Sequence, residues 1–431
     1  MKKDLPLPLL HDADPEVATI NDGEELRQLE SINFIPSENY ASPAVREASA
    51  SVFTNKYSEG YPDARYYPGN EYVDEIEKLA QARALAAFGL TGSDHRSERG
   101  PAEGGGWSVN VQPYSGSPAN LAIYKGLMEQ GDIALGMKLD QGGHLTHGYK
   151  LSASGTFFHF EQYGVGEDEL IDFDQVEQLA QEHKPKLIVC GATAYPRVVD
   201  FERFGAIAKN AGAYLVADVS HISGLIAGGA HPSPFPHADI VMTTTHKALR
   251  GPRGAVIFAK GELIKNINKA IIPGLQGGPH NNTTAAIAVM FKETTTPTFK
   301  EYAHQIVKNA QALADDLVKR GYRLTSGGTD NHLFLMDFRD TKLSGGEVEQ
   351  RLEAVHITAN RNTVPGDPRK PFDPSGVRFG TPSVTTRGMK EPEMAQIAEF
   401  IDRAIKKEGA EKVAEGVKAL ARKFPPPGFS A

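Results

Sequence analysis

The chain reads as an α/β protein: a large domain built on a mainly parallel sheet covered by helices, then a small α+β C-terminal domain. Between about residues 72 and 260, strand-like and helix-like segments alternate, the signature of parallel strands joined by helical crossovers. The strand-like segments are short, apolar and without alternation, as strands buried on both faces must be. Beyond a long amphipathic helix the rhythm changes to separate strands and helices. At 431 residues the chain exceeds what one hydrophobic core usually organises. These features predict an N-terminal arm over 1–55, a large domain over 56–305 and a small domain over 306–431.

The strand candidates are Lys186 to Cys190, Tyr214 to Ala217, Ile240 to Met242 and Ala255 to Phe258, with a helix over Phe201 to Gly212 between the first two. The long helix, from about Glu301 to Arg320, is predicted by apolar residues at Ala303, Ile306, Val307, Ala310, Leu313, Ala314, Leu317 and Val318, with Gly321 as its stop. A strand follows over Leu333 to Phe338, a helix near Gly346 to Ala354, a Pro/Gly-rich loop, and a final helix from about Glu391 to Lys406. Residues 92–106 combine charges and glycines with no apolar content, which predicts a solvated loop that tolerates deletion. The tail around Pro425-Pro426-Pro427-Gly428 is expected to fray.

Composition narrows the function. Hydrophobic residues make up 40% and charged residues 23%, an ordinary globular balance, and no apolar run is long enough to span a bilayer. A net charge of −8 without a basic cluster argues against a nucleic-acid partner. The single cysteine, Cys190, excludes an intrachain disulfide and fits a reducing compartment. Met1-Lys2-Lys3-Asp4-Leu5-Pro6-Leu7-Pro8 has prolines and an acid where a signal peptide needs a continuous apolar stretch, so a cytoplasmic location is expected.

The residue that carries most chemistry is Lys247, in Thr243-Thr244-Thr245-His246-Lys247-Ala248-Leu249-Arg250-Gly251-Pro252-Arg253-Gly254. A lysine buried beside cations titrates low, and its neutral amine can condense with an aldehyde. The stretch therefore reads as a Schiff-base lysine for pyridoxal phosphate, although a basic turn after a buried strand would look the same in isolation. Ser115-Gly116-Ser117 opens a helical pattern and offers backbone N–H groups, a helix dipole and two hydroxyls to a phosphate; an ordinary N-cap has the same residues. Asp218 ends a strand at the sheet edge where ligands bind in such folds, and could pair with a protonated pyridine nitrogen or simply cap a turn.

His221, three residues on, could reach the ring's oxygen or stand in solvent as a loop histidine. His144 and His147, in Gly142-Gly143-His144-Leu145-Thr146-His147-Gly148, lack the further ligands a zinc or iron site needs, so no metal is expected; His144 suits stacking on a flat ring better. Arg378, in Ser375-Gly376-Val377-Arg378-Phe379-Gly380, offers a fork for a carboxylate, or is a surface arginine.

Taken together, the chain resembles the serine hydroxymethyltransferases, pyridoxal-phosphate enzymes of fold type I, from about Leu29 to Ile405. The resemblance is carried by Ser37-Glu38-Asn39-Tyr40, Asn55 to Tyr61, Arg65-Tyr66-Tyr67, Ser115 to Asn120, Gly142 to Gly148, Thr243 to Gly254, Gln276-Gly277-Gly278-Pro279 and Ser326 to Phe334, in the family's order. It implies Lys247 as the attachment point, Ser115, Gly116 and Ser117 at the phosphate, and Asp218 at the pyridine nitrogen. It also implies His221 near the ring oxygen, His144 stacked on the ring, and Thr193 and His246 in the cofactor set. Arg378, aided by Ser37 and Tyr67, would take the carboxylate of serine or glycine, with Glu59 as acid/base carboxylate. Tetrahydrofolate would lie near Glu59, Tyr66, Leu139, Gly143, Leu145 and Asn362. Tyr57 and Gly278 would reach the cofactor of a neighbouring subunit, making a homodimer obligatory, with a tetramer left open.

Departures from the family pattern are Thr193 where many members have serine, a long 92–106 segment, and Gly254-Ala255 for Gly-Gly. Two other readings stay open: a folate-independent aldolase for β-hydroxy amino acids, and a non-catalytic scaffold paralogue.

Overall fold

The structure, a computed structural model, describes residues 9–90 and 106–429, so the expected loop lies almost wholly outside the described residues. Its centre is a seven-stranded sheet in the spatial order Trp107–Asn110, Ala255–Lys260, Ile240–Thr244, Tyr214–Asp218, Leu187–Cys190, Ile133–Met137, His159–Tyr163. Ala255–Lys260 runs antiparallel to both neighbours and the other strands run together, so the sheet is mainly parallel as expected. Three of the four expected strands extend one or two residues further, to Asp218, Thr244 and Lys260, because ladder pairing continues regardless of side-chain polarity.

The lack of alternation has a direct cause. Successive side chains point to opposite faces, and both faces are covered. Ile188 and Cys190 enter one core with Leu135, Leu215 and Val241, while Leu187 and Val189 enter another with Val216, Ile240 and Met242.

A further core is built on the antiparallel sheet Arg323–Leu324, Leu333–Asp337, Gly376–Gly380, Asn360–Asn362. Helix Pro297–Lys319 begins earlier than expected, because Thr296 caps Phe299 N–H and Pro297 takes the first helical position. The helix runs unbroken through the boundary expected near 305. Phe299, Tyr302, Ala303 and Ile306 pack in the first core, and Leu313, Ala314 and Leu317 in the last. The N-terminal segment is likewise divided: Ile32–Asn33 pairs in parallel with Ile357–Thr358, and Ile32 and Phe34 join the last core, whereas Val45 joins the first.

Two expectations need correction. Helix Glu391–Lys406 is not the final one, because Ala410–Lys423 follows it and buries Val413, Val417, Leu420 and Ala421. The tail is held rather than frayed. Pro426 is buried, Arg46 Nη2 donates to Pro427 O at 3.1 Å, and Arg387 donates to the carbonyls of Ala421 and Phe424.

Candidate active site

The residues expected to carry chemistry sit where the parallel strands end. Asp218 closes Tyr214–Asp218, Lys247 follows Ile240–Thr244, Thr193 follows Leu187–Cys190, and His144 follows Ile133–Met137. With Ser115, Gly116 and Ser117, at and inside the start of helix Gly116–Leu127, they enclose a cavity of about 470 Å³. His221, His246 and Arg378 also line it, as do Ser37, Leu139, Gly143, Leu145 and Asn362.

Lys247 is 8% exposed, and among the described residues no hydrogen bond or ion pair reaches its ammonium. Burial pulls its pKa down to about 8; Arg378 and Arg253 push the same way and Asp218 opposes them. The neutral amine is thus accessible near physiological pH.

Asp218 is buried, which alone would raise its pKa, but His147 beside it, with Lys247 nearby, holds it far below the usual carboxylate range. Its Oδ1 accepts from Ser220 N–H at 3.1 Å and Ser220 Oγ at 2.6 Å, so the turn-capping reading also holds. Its Oδ2 accepts from Asn120 Nδ2 at 3.0 Å and has His147 Nε2 at 3.3 Å, off the line of a well-aligned hydrogen bond. Asn120 Nδ2 also reaches Thr146 Oγ1 at 2.9 Å, and Thr146 Oγ1 lies 2.6 Å from His144 Nδ1. One chain of contacts therefore fixes both the carboxylate and the imidazole ring. Burial, with His147, lowers the His144 pKa to about 4, so the ring is neutral.

His221 is not a solvated loop residue: it is buried, with its Nδ1 3.2 Å from His332 Nε2. Nor is Arg378 a surface arginine. From strand Gly376–Gly380 its Nη1 donates to Thr193 O at 2.5 Å, and its Nε and Nη2 each lie 3.2 Å from Asn360 Oδ1. The Thr193 hydroxyl donates to the carbonyls of Gly142 and Gly143 at 3.2 and 3.1 Å, so the threonine joins the two loops that close the cavity.

The cavity suits pyridoxal phosphate. No backbone N–H of the helix start is capped by Ser115, and a Cβ on Gly116 would stand 2.7 Å from Thr244 Cγ2, so this approach demands glycine. Nearby, Thr244 Oγ1 and His246 Nδ1 are buried without a partner among the described residues. Unsatisfied donors at a helix N-terminus fit a phosphate, the fixed carboxylate of Asp218 fits a protonated ring nitrogen, and the unpaired Lys247 amine fits an aldehyde.

Another group of expected site residues lies apart from this cavity. Tyr57 is 57% exposed and Tyr66 80%, and Tyr67 stands edge-on to both at ring distances of 5.3 and 5.2 Å. Tyr57 borders Gly278, whose carbonyl accepts from Tyr114 OH at 2.7 Å. Half-buried Glu59 sits on a loop gripped by Arg65, whose Nη1 donates to Ser58 O at 3.0 Å and Gly60 O at 2.9 Å. Tyr57, Glu59, Tyr66, Tyr67 and Gly278 thus do not line the Lys247 cavity within one chain.

Sequence reasoning missed Asn120, Thr146, His147, Asn360 and His332 as partners of the site. The quoted segments containing Asn120, Thr146, His147 and His332 offered a signal; Asn360 lay outside them.

An α/β sheet with a buried lysine, unpaired among the described residues, and a fixed aspartate at its carboxyl edge defines the class: a pyridoxal-phosphate-type enzyme of fold type I. The family model described as Serine hydroxymethyltransferase matches residues 10–401. Proteins named serine hydroxymethyltransferase are similar to nearly the full chain: one from Acidothermus cellulolyticus is 52% identical (98% of each chain covered), one from Sorangium cellulosum 51% (97% of each), and one from Desulfotalea psychrophila 49% (97% of this chain, 96% of the relative). The chain belongs to the serine hydroxymethyltransferase family, whose members are pyridoxal-phosphate-dependent transferases.

Proposed function

We propose that this enzyme reversibly transfers a one-carbon unit between serine and tetrahydrofolate, giving glycine and 5,10-methylenetetrahydrofolate, with pyridoxal phosphate held on Lys247. The observation that carries the reading is the Lys247 amine, buried and unpaired among the described residues, between a fixed Asp218 and an unsatisfied polar cradle. When bound, the cofactor supplies a sink for the electron pair left at the substrate's Cα.

The chain's own residues do the rest. Ser115, Gly116, Ser117 and His246 would hold the phosphate. Asp218 would keep a proton at the ring nitrogen, and the neutral His144 would offer the ring a flat apolar partner. The Arg378 fork, with Ser37, binds the amino acid's carboxylate and so orients the bond that breaks. Glu59 moves the proton at the serine hydroxyl or the folate nitrogen. Leu139, Gly143, Leu145 and Asn362 offer the folate a surface at the cavity mouth.

The placement of Tyr57, Glu59, Tyr66, Tyr67 and Gly278 outside the cavity supports a homodimer in which these residues serve a second copy's site. We also propose the division into an arm over 1–55, a large domain over 56–305 and a small domain over 306–431, with helix Pro297–Lys319 shared by the last two. Among the described residues no helix is long and apolar enough to cross a membrane. The buried lone thiol of Cys190 supports a reducing, cytoplasmic setting.

Serine cleavage measured with and without tetrahydrofolate tests the reading. Strong acceleration by folate is expected; equal rates would replace it with the folate-independent aldolase.

A further inference from the structure

His332 is buried and takes no part in the reaction as described above. Its surroundings hold it rigidly. Neighbouring Asn331 donates from Nδ2 to Tyr195 O at 3.0 Å and Arg197 O at 3.2 Å, Leu333 N–H donates to Asn331 Oδ1 at 3.1 Å, and Thr381 N–H donates to His332 O at 3.0 Å. The ring's Nε2 lies 3.2 Å from Nδ1 of His221, and its Nδ1 is buried without a partner among the described residues. His221 lines the Lys247 cavity, and with Nδ1 engaged, its Nε2 is the nitrogen left for a ligand.

Burial, with Lys247 and Arg378 nearby, keeps both rings neutral. A single proton then lies between them, and two arrangements are open. If His221 Nδ1–H donated, the proton of His332 would sit on its Nδ1, a buried N–H with nothing to bond. If His332 Nε2–H donates, the orphan on His332 is only a lone pair. Buried N–H groups without a partner are the rarer defect.

We propose that His332 is a positioning residue that fixes His221 as the Nε2–H tautomer, so that His221 offers the cavity a hydrogen-bond donor and suits an electron-rich oxygen there. The tautomer follows from protein atoms alone. Only the identity of that oxygen, the ring oxygen of pyridoxal phosphate, rests on the function proposed above.

The test is a long-range proton–nitrogen correlation spectrum of the ¹⁵N-histidine-labelled holoenzyme, with His221 signals identified by their loss in His221→Asn. A protonated Nε2 and a bare Nδ1 are expected in the native protein and in His332→Gln, which keeps a donor at the same point. His332→Leu should mix the two tautomers and lower kcat roughly tenfold at unchanged cofactor content. A protonated Nδ1 in the native protein, or unchanged His221 nitrogens in His332→Leu, would overturn the proposal. If His332→Leu does not fold, the native spectrum decides alone. Absence of cofactor on Lys247 would sink the proposed function, and the same spectra of the cofactor-free protein would still test the tautomer.

Discussion

The cavity around Lys247 and the patch around Glu59 both gather polar and aromatic side chains, yet they are finished to different degrees. In the cavity, Asp218, Asn120, Thr146 and His144 form a closed chain of contacts, and Arg378 is held by Thr193 and Asn360. In the patch, the backbone is clamped by Arg65, but three tyrosine rings project into solvent. A buried polar group must find its partners within the chain, whereas exposed aromatic rings on a stiff loop are suited to a surface the chain does not supply. The difference supports the proposal that one half of the site is complete in a single chain while the other serves a second copy.

The largest effect sharpens the cavity side. Lys247→Ala should abolish turnover while leaving the fold intact by circular dichroism; an active variant would remove the lysine from the chemistry. Next comes the patch. Glu59→Gln should lose about 10²- to 10⁴-fold in the folate-dependent rate with cofactor content unchanged, and full activity would assign the proton to another group. Mixing these two inactive proteins under conditions that exchange subunits sets the halves against each other. If each site draws on two chains, hybrids regain one intact site and activity returns to about a quarter of native, whereas no recovery would place both residues in one subunit's site.

A smaller effect is expected for Arg378→Lys, which keeps the charge but loses the fork: KM for serine should rise roughly 10- to 100-fold with a lesser change in kcat. The smallest is a titration. The pKa of Lys247 is lowered to about 8, so in cofactor-stripped enzyme the rate of aldehyde capture should climb as pH rises and level off above about 8. Arg378→Met removes a nearby cation, which favours the ammonium, and should move that inflection upward.

Much of the cavity was legible in the sequence because its residues follow buried strands. Apolar runs such as Leu187–Cys190 locate the sheet, and the strand ends locate Asp218 and Lys247. What escaped notice depends on tertiary approach: nothing local to Thr146 or Asn360 announces a partner more than a dozen residues away. Helix Ala410–Lys423 is a different case, since Val413, Val417, Leu420 and Ala421 stand at helical spacing but were overshadowed by the proline-rich end that follows. The separation of Glu59 from Lys247 was readable only in part: the resemblance sends nearby Tyr57 toward a neighbouring subunit, but motif order alone does not place Glu59 outside the Lys247 cavity.

The central claim is that one buried amine carries the cofactor. Reducing the native enzyme with borohydride and mapping its peptides by mass spectrometry tests this directly: a pyridoxyl phosphate adduct on Lys247 is the predicted result, and its absence there, or its appearance on another lysine, would contradict the account.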